Sequence, residues 1–168
     1  MSNQFRKDLV GLVPRLRRFA LSLSGNPADA DDLVQSACVK ALKNEGQFRP
    51  GTRMDSWMYR IIQTLWIDER RRAKIRGTQV DAEDAGLSDG GRAARLPEDR
   101  MMLDLAREAM AGLKEDQRVV LSLVAIEGLS YKETADVLDV PVGTVMSRLS
   151  RARASLLPQL GMTKGPIQ

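Results

Sequence analysis

The chain contains no histidine and one cysteine, Cys38. The missing histidine excludes a His-based acid–base pair or nucleophilic triad. Together the two shortages leave no ligand set for a structural zinc ion, so no metal site, catalytic residue or cofactor is expected. A lone cysteine cannot close an internal disulfide, which points to a reducing compartment, the cytoplasm. Cys38 lies in an apolar helical run and reads as a small packing residue. Aromatic residues are only 4% of the chain against 43% hydrophobic residues overall, so Leu, Val, Ile, Met and Ala must fill the core, as they do in small helical bundles. No apolar run approaches the ~20 residues of a membrane helix. The opening Met-Ser-Asn-Gln-Phe-Arg-Lys-Asp has no apolar signal core, so membrane insertion is not expected.

What is present is charge: 29% charged residues, a net +4 and a pI near 9.5. Such an excess suits a polyanionic partner, but an ordinary solvated surface carries it equally well. The 168 residues suffice for one ordinary domain or two small ones.

Periodicity predicts helices throughout. Phe5, Leu9, Leu12, Leu16, Phe19 and Leu23 form an apolar stripe at spacings of three and four, with Arg15, Arg17 and Arg18 off it. Gly25-Asn26-Pro27 ends that helix and opens the next, Asn26 as cap and Pro27 in the first turn. The second helix spans about 28–42, with Ala30, Leu33, Val34, Ala37 and Ala41 inward. After the polar loop Asn44 to Gly51, Thr52 and Asp55 suggest a capping box for a third helix. This helix puts Met54, Trp57, Ile61 and Leu65 on one face and ends in the basic run Arg70 to Arg76. The Gly-, Ala- and Asp-rich stretch beyond it reads as a flexible linker. A helix from Pro97 to about Leu113 carries Met102, Ala106, Ala109 and Leu113 inward. A nearly apolar helix, about 115–127, is expected at the centre of the second domain and stops at Gly128. The expected architecture is all-α: one domain at 1–77, a linker at 78–96, a second domain at 97–161 and a disordered tail at 162–168.

Residues 130–157 carry the strongest signal, two helices joined by a tight turn with arginines on the second. Ser130 and Glu133 form a capping box. Ala135 is small enough for a close helix crossing, and Leu138, Val140, Val145 and Leu149 face the core. Asp139 stands at the turn, where aspartate tolerates a left-handed backbone. Pro141, Gly143 and Thr144 begin the second helix, with Thr144 as cap. Its exposed face is Thr144, Met146, Ser147, Arg148, Ser150, Arg151 and Arg153. Arginine bonds guanine bidentately, serine bonds several base edges and methionine packs on a thymine methyl. Arg148 and Arg153 suit phosphates equally. This is the build of a helix-turn-helix whose second helix enters the major groove.

Three features of the first domain bear on what the chain does at DNA. Asp29, Asp31 and Asp32 lead into Leu33-Val34-Gln35 at a helix start, either as partners of the helix dipole or as a docking surface. Phe48-Arg49-Pro50-Gly51 precedes a helix with Trp57, Tyr59 and Arg60. Such aromatics and arginines can hold an unstacked base, or Phe48 and Trp57 can simply be core. The run Arg70 to Arg76 fits a phosphate backbone or a solvated helix end.

In combination these segments resemble the bacterial sigma factors of the extracytoplasmic-function type. Gly25 to Gln35 is similar to the family's polymerase-binding region. Phe48 to Gly51, Trp57 to Ile61 and Ile67 to Arg72 are similar to its promoter-melting, minus-ten region. Val140 to Val145 with Ser147 to Arg153 is similar to its minus-thirty-five reader. The resemblance implies that Asp29, Asp31, Asp32, Leu33 and Gln35 bind core RNA polymerase. It implies that Phe48, Arg49, Arg53, Trp57, Arg60, Arg70 and Arg71 contact minus-ten promoter DNA, and that Thr144, Met146, Ser147, Arg148, Ser150, Arg151 and Arg153 contact minus-thirty-five DNA. It further implies control by an anti-sigma factor. The chain departs from the family pattern at Gln63-Thr64, where asparagine is frequent, and at Met146, where a basic residue is common. Two other readings are a stand-alone helix-turn-helix regulator, which would bind an operator tightly without polymerase, and a sigma-like decoy, which would have lost the basic face that this chain keeps.

Overall fold

A computed structural model describes residues 2–77 and 97–161. The expected linker and tail lie outside them. Every regular element among the described residues is helical: α1 Asn3–Ser24, α2 Pro27–Lys43, α3 Met54–Ile75, α4 Pro97–Ala111, α5 Glu115–Leu121, α6 Tyr131–Leu138 and α7 Val142–Gln159. No described helix is long and apolar enough to cross a membrane.

The first three helices pack on one another along their apolar stripes. Phe5, Leu9, Leu16, Phe19 and Leu23 of α1 are buried, as are Ala30, Leu33, Val34, Ala37 and Ala41 of α2. Gly25 takes a left-handed backbone (φ 69°) and its N–H bonds Leu21 O at 2.9 Å. Only glycine adopts this conformation freely, so α1 ends there. Asn26 then caps α2, its side chain accepting from the Ala28 and Asp29 N–H groups. Cys38 is half-buried, and burial pushes its thiol above the ordinary range.

Two expectations need correction in the first region. Thr52 and Asp55 form no capping box. Thr52 Oγ1 donates to Arg49 O, Arg53 is the cap residue without a side-chain bond, and Asp55 is taken up by Arg53 and Arg15. The inward face of α3 is Asp55, Met58, Tyr59, Ile62 and Trp66. Met54, Trp57, Ile61 and Leu65 sit half-buried beside it. The polar loop contains a short 3₁₀ turn, Glu45–Gln47.

In the second region α5 is central, with Val119, Val120 and Leu121 buried. It does not run on as α-helix. Ser122–Ile126 is a π-type segment, with Glu127 N–H bonding Ser122 O at 3.0 Å. The wider turn shifts the register of the residues after it. Met102, expected inward, is 53% exposed on α4. The helix-turn-helix closes as expected at Ser130 and Glu133, which bond reciprocally at 3.0 Å. Asp139 is left-handed (φ 54°). Thr144 is not the cap of α7: Pro141 occupies that place and Thr144 lies inside the first turn.

The two regions touch. Val119, Leu123, Leu129 and Val137 of the second region belong to the same buried cluster as Leu16, Phe19, Tyr59 and Ile62 of the first. A separate cluster, with Val120, Ala135, Val145, Leu149 and Ala152, fixes α7 on α5 and α6.

Candidate nucleic-acid interface

Helix α7 divides cleanly. Val145, Leu149 and Ala152 are buried at spacings of four and three. The opposite side presents Met146, Ser147, Ser150, Arg151 and Arg153 to solvent. The left-handed turn at Asp139 and the buried Ala135 let α6 and α7 cross closely. Arg148 stands at the edge of this face, its Nε 3.5 Å from Asp116 on α5. Thr144 is half-buried and its carbonyl accepts from Ser147 Oγ. An exposed helix with cationic, hydroxyl and thioether groups on one side and apolar anchors on the other is chemically suited to base edges and phosphates in a major groove.

At the start of α3 the aromatics gather. Phe48, Phe5 and Trp57 lie with ring centroids 5.8, 6.1 and 5.2 Å apart. Phe5 and Phe48 border a shallow cavity of about 310 Å³, lined also by Pro50, Gly51, Thr52 and Met54. Gly51 holds the loop in a left-handed turn, φ 87°. Phe48 and Trp57 pack half-buried on the core, and Phe48 also lines the cavity. Arg49 and Arg60 are exposed nearby in the sequence, and Arg71 is exposed at the far end of α3.

The remaining arginines of this surface are engaged. Arg53 donates to Asp55 at 3.1 and 2.8 Å and pairs with Glu133 of α6. Arg70 Nε and Lys74 Nζ reach Glu115 Oε1 at 3.5 and 3.3 Å. Burial raises the Asp55 carboxyl, but bonds from Arg53 and from the Ser56 N–H, with the Arg15 charge, outweigh it and hold it below the ordinary carboxylate range. Glu115 is likewise held low, burial being outweighed by its own backbone N–H, Lys74 and Arg70. Arg70 and Arg118 both sit over Trp66, 5.8 and 5.3 Å from the ring centroid.

Among the expected polymerase-binding residues, Asp29, Asp31, Asp32 and Gln35 are exposed on one end of α2. Asp31 accepts from Arg17 Nε at 2.8 Å. Leu33 is 7% exposed and belongs to the core, so it shapes this surface from beneath.

Sequence reasoning missed Arg118 and Glu127. The Arg118 guanidinium donates to the carbonyls of Leu23, Ala111 and Leu113 at 2.7, 2.7 and 3.1 Å. Burial, with Arg70 near, lowers it to about 10. Glu127 accepts two bonds from Arg18, at 3.0 and 2.8 Å, and one from Tyr59 Oη at 2.8 Å. Burial and that bond push the Tyr59 hydroxyl above its ordinary range. A charged residue at each end of the apolar run 119–126 was the available signal for both. No His/Cys/Asp/Glu group able to hold a metal ion occurs among the described residues.

Comparison with known proteins places this arrangement. The sigma-70 region 2 model matches residues 10–76 and the sigma-70 region 4 model matches residues 103–156. The chain is 36% identical over 158 residues to the ECF RNA polymerase sigma factor EcfG of Rhodopseudomonas palustris, covering 93% of this chain and 84% of that one. It is 32% identical over 168 residues to the ECF sigma factor SigW of Bacillus subtilis, with 91% and 87% covered. A solved complex of the sigma factor RpoE with the anti-sigma factor NepR from Bartonella quintana matches with a TM-score of 0.75 and 28% identity, over 97% of this chain and 100% of the other. CnrH, solved with the cytosolic domain of CnrY, matches at 0.67 and 28%, over 93% and 89%.

Proposed function

The chain belongs to the RNA polymerase sigma factors of the extracytoplasmic-function type, in the sigma-70 family, and on that premise we propose that it binds core RNA polymerase and directs it to a set of promoters. The observation that carries this is the exposed face of α7, bearing Met146, Ser147, Ser150, Arg151 and Arg153 over a buried apolar seam. It stands behind a first region matched to sigma-70 region 2.

Two domains, at 1–77 and 97–161, share the work. The first docks on polymerase through Asp29, Asp31, Asp32 and Gln35, with Leu33 supporting them from the core. It takes minus-ten DNA with Phe48, Arg49, Arg53, Trp57, Arg60, Arg70 and Arg71. The second lays α7 in the minus-thirty-five major groove. Once both elements are engaged, tethering raises the effective concentration of each for its site. RNA synthesis itself stays with the polymerase, so the chain acts without catalysing and works where that polymerase works, in the cytoplasm. The solved relatives bound to NepR and to the cytosolic domain of CnrY support control of this chain by an anti-sigma factor, and a stress or envelope response is the setting proposed for that control. The exposed basic face favours this reading over a decoy, which would have no use for it.

Run-off transcription tests the proposal. Purified core polymerase should make a promoter-specific transcript only when this chain is added. Absence of that transcript with an active core enzyme and a matched promoter would overturn it, and tight operator binding without polymerase would favour a stand-alone regulator.

A further inference from the structure

Two apolar side chains stand on the solvent side of α7. Val142, its first residue, is 40% exposed, and Met146, one turn on, is 53% exposed. Neither belongs to the two apolar clusters, whose buried α7 members are Val145, Leu149 and Ala152. A single exposed apolar residue needs no explanation. A pair spaced by four differs, because it makes a continuous strip along the helix. This strip lies in the N-terminal half of the second helix of a helix-turn-helix, the part that meets base edges in a major groove. The exposed side chains that follow it are polar: Ser147, Ser150, Arg151 and Arg153. Ser147 Oγ already donates to Thr144 O at 3.1 Å, so toward solvent it is left as an acceptor.

We infer that Val142 and Met146 are specificity-determining residues that read thymine methyl groups in the minus-thirty-five element. The inference rests on the proposed placement of α7 in that groove and deepens it by naming the base. In the major groove thymine alone presents an apolar group, its C5-methyl. Burying that methyl against Val142 or Met146 removes apolar surface of both partners from water. Neither side chain donates a hydrogen bond or carries charge, so guanine acceptors and phosphates gain nothing from them. The strip therefore adds choice of base more than general affinity. Side chains one helical turn apart have Cβ atoms about 5–6 Å apart, which spans one to two base steps of about 3.4 Å. The two residues fit methyls on neighbouring or next-neighbouring base pairs. Ser147, beside Met146, adds an acceptor for the adenine N6 amino group of such a pair. Arg151 and Arg153 remain for phosphates and guanine.

The test uses the full chain with core polymerase. A barcoded promoter pool, randomised through both elements, is transcribed by the wild-type holoenzyme, and the transcripts are sequenced. The preferred minus-thirty-five element should contain a strongly preferred T·A pair. On that promoter each minus-thirty-five thymine is then replaced by deoxyuridine, which deletes the methyl and keeps every hydrogen-bonding group. Run-off yield at subsaturating holoenzyme should fall about fourfold for each methyl that the strip buries, the worth of one buried carbon. Met146→Leu should keep that discrimination. Met146→Lys should lose it at one position and bind thymine and uracil templates more tightly alike. Its log K against log salt slope should steepen by about 0.9, for one added phosphate contact. Val142→Ala should lose the discrimination one or two pairs away. Both side chains are exposed, so these changes leave the core intact. An element without a preferred T·A pair would overturn the inference. So would a Met146→Ala loss that is the same on thymine and uracil templates. A pool that yields no preferred promoter overturns the proposed function and this inference with it. A preferred promoter indifferent to uracil at every position overturns this inference alone.

Discussion

The two surfaces proposed to meet DNA are in opposite electrostatic conditions. On α7 the exposed cations Arg151 and Arg153 stand clear of the interface between the regions, and only Arg148 leans toward an acid, Asp116, of its own region. On α3 and the loop before it, Arg53, Arg70 and Lys74 are all held by carboxylates of the other region. A duplex reader can be left open because weak contacts with wrong duplex sites are corrected by dissociation. A surface proposed for an unstacked strand would have nothing to read until the duplex opens, so covering it in the free protein would cost no specificity. The difference teaches that the regions are coupled through charge as well as through the apolar cluster they share.

The sharpest way to break that coupling is to weaken each region separately. Leu16 on α1 and Leu149 on α7 are 0% and 2% exposed. Leu16→Ala and Leu149→Ala should each remove about 3 kcal/mol of stability. If the shared cluster binds the regions into one cooperative unit, calorimetry of either variant shows a single transition moved down. Two transitions, with only one displaced in each variant, would show that the shared cluster does not couple the regions.

Arg118 comes next in size. Its guanidinium satisfies three backbone carbonyls, one of them Leu23 O on the far side of the seam. Arg118→Ala should cost about 3 kcal/mol by leaving those carbonyls short of donors in a buried site. Arg118→Met keeps the stem and should recover part of the packing loss but none of the bonding. A urea midpoint unchanged in both variants would mean that water replaces the guanidinium freely and that the seam is already wet.

These two tests touch what was hardest to read in the sequence. The helix-turn-helix was legible because its signals are local. The Ser130–Glu133 box and the left-handed Asp139 are decided within a few residues, and the α7 face follows from helical periodicity alone. The start of α3 was misread because Asp55 had two competing uses. A capping carboxylate gains one backbone bond, whereas here it gains Arg53 and Arg15 together, and Arg15 lies 40 positions away in sequence. The inward face of α3 was misread for a related reason. Trp57 and Leu65 look like core, but Tyr59 and Asp55 go inward because partners outside α3, Glu127 and Arg15, satisfy their polar atoms. No periodicity argument contains those partners. Leu33 shows the converse: the motif marks it as interface, whereas its stripe on α2 had already assigned it to the core.

DNA binding by the free chain sharpens the comparison directly. Arg151→Ala should weaken binding to minus-thirty-five duplex by about 1–3 kcal/mol if it reads a base edge. If it holds a phosphate, the loss should instead be uniform across sequences, with a shallower salt slope. Arg53→Ala should change single-strand binding by the free chain far less, because that guanidinium is already occupied. Anisotropy titrations at two salt concentrations distinguish the cases. A larger loss from Arg53→Ala than from Arg151→Ala would reverse the comparison.

The smallest effect belongs to Asp55, where the same surface meets acid. Its carboxyl is 9% exposed, bonded by Arg53, Arg15 and the Ser56 N–H, and held below the ordinary range. A depressed carboxyl stabilises the native state at every pH above its unfolded value, about 3.9, and loses that contribution as pH falls through the native value. Asp55→Asn should therefore cost about 1 kcal/mol near neutrality, the two arginines being half-exposed and able to turn to water. The gap between variant and wild type should close below pH about 4. Glu115 is depressed by Lys74 and Arg70 in the same direction, so the contact between regions should loosen in that acid range as well. Urea midpoints from pH 7 down to 3 measure the first effect, and scattering over the same range measures the second. A variant that stayed less stable by the same amount down to pH 3 would locate the role of Asp55 in packing, and the charge on this surface would then belong to the second region's carboxylates alone.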